Sequence, residues 1–339
     1  MKFPIYLNDG KSLCPLNNFQ INAIRVVFDK IDSGEYKLVV NHCLCLNESP
    51  DRDVVISEKD RYGFPVPSLL CSKCGIIRSG VVFDSFSNDA FYKNEYRSIY
   101  VGAKIPPANF FEDQAVRGRD LFIFWKAFLP EVKLENVFEV GCGAGGILKA
   151  FAESGIKCSG NDYDVQYLDY GRSKGFDLYC GSYSDILTDA SVDLIILSHV
   201  MEHFLDPVNE LQKLIRKIRP GGYLLVEVPG ILYIDKSYYN PILYLQNAHV
   251  FSYYYDHLRI FFMQLGLEVV TGNERCTFIL KKPFNWHEQL IISIYDSALS
   301  DSFDRIAKYI FRTHIRYRLK LNPYQWRAML VGFLGTNRK

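Results

Sequence analysis

No stretch of this sequence is long and apolar enough to cross a bilayer. The opening MKFPIYLNDGKSLCP has no apolar signal core, so nothing there marks the chain for export. Net charge is only +1, which removes any overall electrostatic pull toward nucleic acid. No internal repeat or low-complexity tract is present. A disulfide framework is also disfavoured. Nine cysteines are an odd number, and without a secretion signal they suit reduced thiols or metal ligands. These absences together predict a cytoplasmic protein with no nucleic-acid partner.

What is present suits a soluble globular chain. The 339 residues are 48% hydrophobic and 23% charged, enough for roughly two domains around a large core. Aromatics reach 15%, which serves either core packing or stacking on a sugar or base. The chain divides into residues 1–109, 110–280 and 281–339. The first part carries a helical segment near Phe19–Ile31, a strand-like KLVVNHCLC, and a turn-rich stretch, about 41–105, with paired cysteines. The second alternates apolar runs with helical periods, the mark of a parallel α/β sheet. Strands are predicted in VFEV, IKCSGNDYD, DLYCGSYSD, SVDLIILSHV, YLLVEVP, LEVVTG and CTFILKK. Helices are predicted in QAVRGRDLFIFWKAFL, GILKAFAESG, DPVNELQKLIRKIR and RIFFMQLG, the third stopped by PGG. The last part reads as helices.

Chemistry begins at FEVGCGAGG, residues 138–146. Gly141, Gly143 and Gly146 fit G-x-G-x-x-G, the turn of a dinucleotide site. Glu139, two residues before the first glycine, fits instead E/D-x-G-x-G-x-G, the pattern of an S-adenosylmethionine (SAM) site. Glycines after a buried strand let a ligand approach the backbone closely. A carboxylate at that point does not help bind a pyrophosphate, but it suits the cationic methionine end of SAM. Asp162, at the tip of the next strand, can accept both ribose hydroxyls; NAD and SAM sites share that feature.

The ordered set FEVGCGAG, SGNDYD, SVDLIILSHVMEHFLDP, IRPGGYLLVEVP and HVFSYYYDHLRIFFMQLGLEVV resembles the class I SAM-dependent methyltransferases over roughly residues 110–280. The resemblance implies a seven-stranded Rossmann-like sheet with helices on both faces and a reversed last strand. It implies that Glu139, Gly141 and Gly143 line the methionine end and that Asp162 holds the ribose. Ser182 and Tyr183 would flank the adenine, and many relatives carry an Asp where Ser182 stands. Tyr163, Ser198 and Gln114 complete the expected cofactor set, with Gln114 and Arg117 at the start of their helix facing the cofactor mouth.

Ahead of that domain, HCLCLNES and LCSKCGIIR supply Cys43, Cys45, Cys71 and Cys74. Two pairs of thiolates suit a structural tetrahedral Zn2+. The C-x-x-C-G pair is a strong knuckle; the C-x-C pair is tighter than usual and leaves His42 as a substitute ligand. This segment, through FYKNEYRSIYVG, is similar to the N-terminal zinc-binding segment of methyltransferases in bacterial sugar and surface-polysaccharide pathways. The resemblance implies a sugar or glycan acceptor, nucleotide- or lipid-linked, and sets Tyr92, Tyr96, Arg97 and Tyr100 over the cleft.

Transfer to a hydroxyl benefits from a base near the oxygen. SHVMEHF supplies His199, Glu202 and His203, and His249 follows an aromatic loop bearing Tyr233, Tyr238 and Tyr239. On a helix start His199 and His203 share a face, with Glu202 pointing elsewhere. Base catalysis by His203 or His249 is the preferred reading, ahead of a metal held by the histidines. His199 either contacts the cofactor or supports the loop. Over 281–339, Lys and Arg exceed Asp and Glu by seven. A solvated helix face, an anionic partner and a peripheral membrane contact compete for that tail. Sugar C-methylation, an NAD-dependent oxidoreductase and a non-catalytic zinc-bearing scaffold stand as alternatives.

Overall fold

The computed structural model describes residues 5–103, 105–107, 109–238 and 240–323. Thirteen strands are found among them. Five belong to the first part of the chain: β1 (Leu38–Val40), β2 (Val54–Ser57), β3 (Ser68–Leu70), β4 (Ile77–Ser79) and β5 (Val81–Phe83). Then follow β6 (Asn136–Val140), β7 (Lys157–Asp162), β8 (Asp177–Cys180), β9 (Val192–Ser198) and β10 (Ile218–Glu227). The last three are β11 (Phe251–Ser252), β12 (Glu268–Gly272) and β13 (Thr277–Lys281).

Seven strands form the central sheet in the order β12-β13-β10-β9-β6-β7-β8. Pairings from β10 through β9, β6 and β7 to β8 are parallel, and β13 runs antiparallel to both of its neighbours. This is the predicted α/β sheet with its reversed last strand. β9 is buried at every position, as a β-branched run covered on both faces must be. Strand order reverses between β6 and β9, so their carboxyl tips open the crevice where ligands bind in such sheets.

The PGG segment behaves differently from expectation. The helix Pro207–Lys217 ends before it, and Pro220, Gly221 and Gly222 lie within β10, where the pairing register with β9 shifts between Ile218 and Tyr223. Proline in a strand is tolerated at such an irregularity because no ladder N–H is required there.

A second sheet has the order β11-β4-β3-β2. Its edge strand β11 comes from the loop after residue 240, so the cysteine-bearing segment is hydrogen-bonded into the larger domain. The helix Ser302–Arg318 packs on the same segment: a Cβ on Gly75 would lie 2.8 Å from the Ser302 carbonyl carbon. One apolar core runs through all three parts, joining Leu70 and Ile76 to Leu197 and Val226 and to Ile306 and Ile310.

Candidate functional site

The glycine turn leaves the tip of β6. Gly143 has φ 56°, the left-handed region that favours glycine, and its N–H donates to Asp162 Oδ2 at 2.9 Å. Turn and β7 tip are thereby locked together. The helix Phe110–Phe128 presses on the turn from outside, and a Cβ on its Gly118 would lie 2.2 Å from the Ile147 carbonyl oxygen. Gln114 clasps the turn, Nε2 donating to the Cys142 carbonyl at 3.0 Å and Oε1 accepting from Gly146 N at 3.3 Å.

Glu139 precedes the turn, is 1% exposed, and has Oε2 without a hydrogen-bond partner. Burial holds its carboxyl well above the ordinary carboxylate range, and the Asp162 charge adds to the shift. Gly141 opens the turn between them, with φ 68°. Asp162 is also engaged from above, because Arg97 Nη2 donates to its Oδ2 at 2.8 Å. The guanidinium lies 4.8 Å from the centre of the Tyr167 ring, with Tyr96 and Phe110 on its other sides. An arginine from the first part of the chain thus sits on the carboxylate assigned to the ribose.

The remaining expected cofactor residues divide. Tyr163 is half exposed beside Asp162. Ser182 caps the short helix Tyr183–Ile186. Tyr183 turns inward, its hydroxyl donating to Glu210 Oε2 at 2.7 Å. Ser198, at the tip of β9, donates to Glu227 Oε2 at 3.1 Å.

Beyond β9 the chain turns sharply. His199 has φ 56°, an uncommon conformation for a residue with a Cβ and one that clusters at functional sites. Met201–His203 form a single 3-10 turn, so His199 and His203 do not share an α-helical face. The tight turn also swings Glu202 inward, against expectation: it is 1% exposed and surrounded by imidazoles. Its Oε1 is 3.2 Å from His199 Nδ1 and 4.0 Å from His249 Nε2, and neither carboxylate oxygen has an aligned hydrogen bond. Burial raises the Glu202 carboxyl to about 7. Burial lowers His199 to about 4, with the Arg117 cation adding, and burial also holds His203 and His249 below the ordinary imidazole value.

Backbone contacts fix this cluster. His203 Nδ1–H donates to the Ala248 carbonyl at 2.8 Å, and Val250 N–H donates to the Glu202 carbonyl at 2.8 Å. The rings of Tyr92 and Tyr96 stand edge-on to His203 at 6.0 and 5.9 Å. The Tyr100 hydroxyl accepts from Ala248 N at 3.2 Å and meets Asn247 Oδ1. Tyr238 packs edge-on to Tyr244, Tyr233 closes the turn Ile231–Tyr233, and Tyr239 lies outside the described residues.

Sequence reasoning missed Glu227. It ends β10, buried, 3.3 Å from Arg275, 3.5 Å from Arg117 and 4.0 Å from His199. Its signal was legible: an acid at the tip of the apolar run YLLVEVP repeats the placement of Glu139 in VFEV.

The four cysteines of the first part form a separate cluster. Cys43 Sγ is 3.4 Å from Cys45 and 3.5 Å from Cys74, and Cys45 is 3.5 Å from Cys71. All four are buried. A tetrahedral thiolate site needs sulfurs roughly 3.8 Å apart, so the set fits a metal ion closely. Gly75 adopts φ 76° after the C-x-x-C pair, and His42 is exposed outside the cluster. In the last part, Arg305 pairs with Asp256 at 2.7 Å and Arg316 with Asp235 at 3.3 Å, which neutralises some of the basic excess. Residues 324–339 of the tail lie outside the described residues, among which no helix is long and apolar enough to cross a membrane.

Comparison with known proteins adds three findings. Residues 115–271 match the family model described as a methyltransferase domain. A probable S-adenosylmethionine-dependent methyltransferase of Mycolicibacterium smegmatis is 33% identical over 28% of this chain and 38% of its own length. A trans-aconitate 2-methyltransferase of Rhizobium rhizogenes is 27% identical over 36% of this chain and 48% of its own. The chain therefore spans less than half the length of these relatives. Among solved structures, phosphoethanolamine N-methyltransferase 1 of Haemonchus contortus is 15% identical over 66% of this chain and 55% of its own, with a TM-score of 0.46.

Proposed function

We propose that this chain, whose residues 115–271 match the methyltransferase-domain family model, is a class I SAM-dependent enzyme that transfers a methyl group to a hydroxyl of a sugar, free, nucleotide-linked or within a bacterial surface glycan. The observation that carries the cofactor half is Glu139, a fully buried carboxylate with an unpartnered oxygen beside a left-handed glycine turn. An unpaired buried acid is costly, and an ammonium group satisfies it. Gly141 and Gly143 leave room for the methionine end, and Asp162 takes the ribose hydroxyls once Arg97 moves aside. SAM brings an electrophilic methyl group on a sulfonium.

The acceptor half rests on the likeness of the cysteine-bearing segment to those of sugar methyltransferases. Its Tyr92 and Tyr96 supply flat apolar faces beside the histidines. His199 is the proton acceptor we favour over His203 and His249. Its side chain is 36% exposed, whereas His249 is buried and His203 is held to the Ala248 carbonyl. Glu202, 3.2 Å from its Nδ1, favours the imidazolium that forms. Cys43, Cys45, Cys71 and Cys74 hold a structural Zn2+ that fixes the segment bearing the tyrosines.

Calorimetric titration with S-adenosylhomocysteine, paired with NADH, tests the reading. Micromolar binding of the former, weakened roughly 10- to 100-fold by Glu139→Gln, is expected from the loss of a charge-assisted contact. Binding of NADH instead would sink it.

A further inference from the structure

Support of His199 accounts for one neighbour of Glu202 and leaves its proximity to His203 and His249 unexplained. Both of its oxygens are buried without an aligned hydrogen bond, and three imidazoles surround it. A carboxylate kept out of water and unpaired costs several times what a hydrogen bond contributes. Glu202, His203 and His249 nevertheless bring one ligand-type atom each within 4.8 Å of one another.

We propose that Glu202, His203 and His249 form a divalent-cation site, separate from the cysteine cluster, that grips two adjacent oxygens of the acceptor. Three features of the backbone prepare it. The 3-10 turn Met201–His203 points Glu202 and His203 toward one centre. The bond from Val250 N–H to the Glu202 carbonyl holds His249 opposite them. The bond from His203 Nδ1–H to the Ala248 carbonyl fixes the ring's tautomer and leaves Nε2 with its lone pair for a ligand bond. Metal-binding histidines characteristically have such an outer partner. Closing the set from within 4.8 Å to the roughly 3 Å spacing of ligands around one ion needs its side chains to move together, His249 Nε2 now standing 4.0 Å from Glu202 Oε1.

Two imidazoles and one carboxylate select a first-row divalent ion such as Mn2+, Fe2+ or Zn2+, and they leave coordination positions open. Thiolates favour softer metals, so the two clusters of this chain differ in what they take. Adjacent hydroxyls, as on a sugar ring, fill two open positions and are thereby oriented toward the cofactor. This part of the inference rests on the transferase reading. The cation site itself does not.

The test uses full-length protein carrying one equivalent of Zn2+, titrated with MnCl2 and followed by the electron paramagnetic resonance signal of free Mn2+. One Mn2+ bound per chain is expected. Glu202→Gln and His249→Gln should each weaken it at least tenfold, while Asp169→Asn, in an exposed pair with Arg172, leaves it in place. Circular dichroism and titration with S-adenosylhomocysteine confirm that the two site variants remain folded. No bound Mn2+, or binding that survives both site substitutions, overturns the site. Homocysteine-compound binding without Mn2+ binding rejects the cation site and leaves the transferase reading standing. Mn2+ binding without it rejects the transferase reading and keeps the site. Acceptors with a single hydroxyl turning over as fast as vicinal diols in the Mn2+-loaded protein would remove the chelating role.

Discussion

At the scale of single residues, burial sets the charge states. Desolvation holds the Glu139 carboxyl well above the usual range in the ligand-free protein. A cationic ligand favours the ionised form, so binding must expel a proton. Affinity for S-adenosylhomocysteine should therefore rise as pH is raised from the ordinary carboxylate range and level off once the free carboxyl is ionised. Calorimetry in buffers of different ionisation enthalpy should show proton release on binding that is absent in Glu139→Gln. Arg97 gives a second expectation. It occupies Asp162, so Arg97→Ala should tighten binding of the same ligand about tenfold, the equivalent of roughly 1.4 kcal/mol. Unchanged or weaker binding would show that the arginine aids the cofactor rather than competing with it. Gly118→Ala pushes a methyl group to within 2.2 Å of the Ile147 carbonyl oxygen, and the helix must retreat from the glycine turn. A loss of about 1–3 kcal/mol in denaturant unfolding should follow, with weaker cofactor binding.

At the scale of elements, the sheet was readable because its strands carry their own periodicity. β9 and β6 are largely apolar runs of strand length, β9 ending at Ser198 and β6 at the glycine turn, where a helix must begin close by. The turn and the acid at the tip of β7 were legible for the same reason. What escaped was set by contacts distant in sequence. β11 is only two residues long and exists because β4 lies beside it. PGG carries the residues of a helix stop, yet the register shift it permits keeps β10 paired. Glu202 was expected to point away because an α-helix was expected; the 3-10 turn reverses it, and no local pattern announces that choice. His203 and His249 stood out singly, but their meeting depends on the loop from 230 to 250 folding back over the β9 tip. The β4–β11 pairing carries a prediction of its own. Replacing Cys71 and Cys74 with serine should speed amide exchange at residues 247–252 as well as at 43–79. Exchange confined to the cysteine segment would mean that the two are uncoupled.

At the scale of the whole molecule, one continuous core joins the cysteine segment, the central sheet and the helix Ser302–Arg318. Unfolding should therefore be a single cooperative transition. Removing residues 297–339 takes away the buried Leu299, Ile306 and Ile310 and uncovers the surface against which they pack. A loss of at least about 3 kcal/mol is expected from the buried apolar area alone, seen as a lower midpoint in urea. Two separate transitions in the intact protein would contradict that unity. The same architecture governs how such a chain can be re-engineered. The tyrosines over the histidines come from residues before 101, and the strand that completes the cysteine segment's sheet comes from after 250. A chimera that exchanges only the leading segment would inherit a mismatched edge strand. Recombination that respects the fold has to move two distant stretches of sequence together, as one graft.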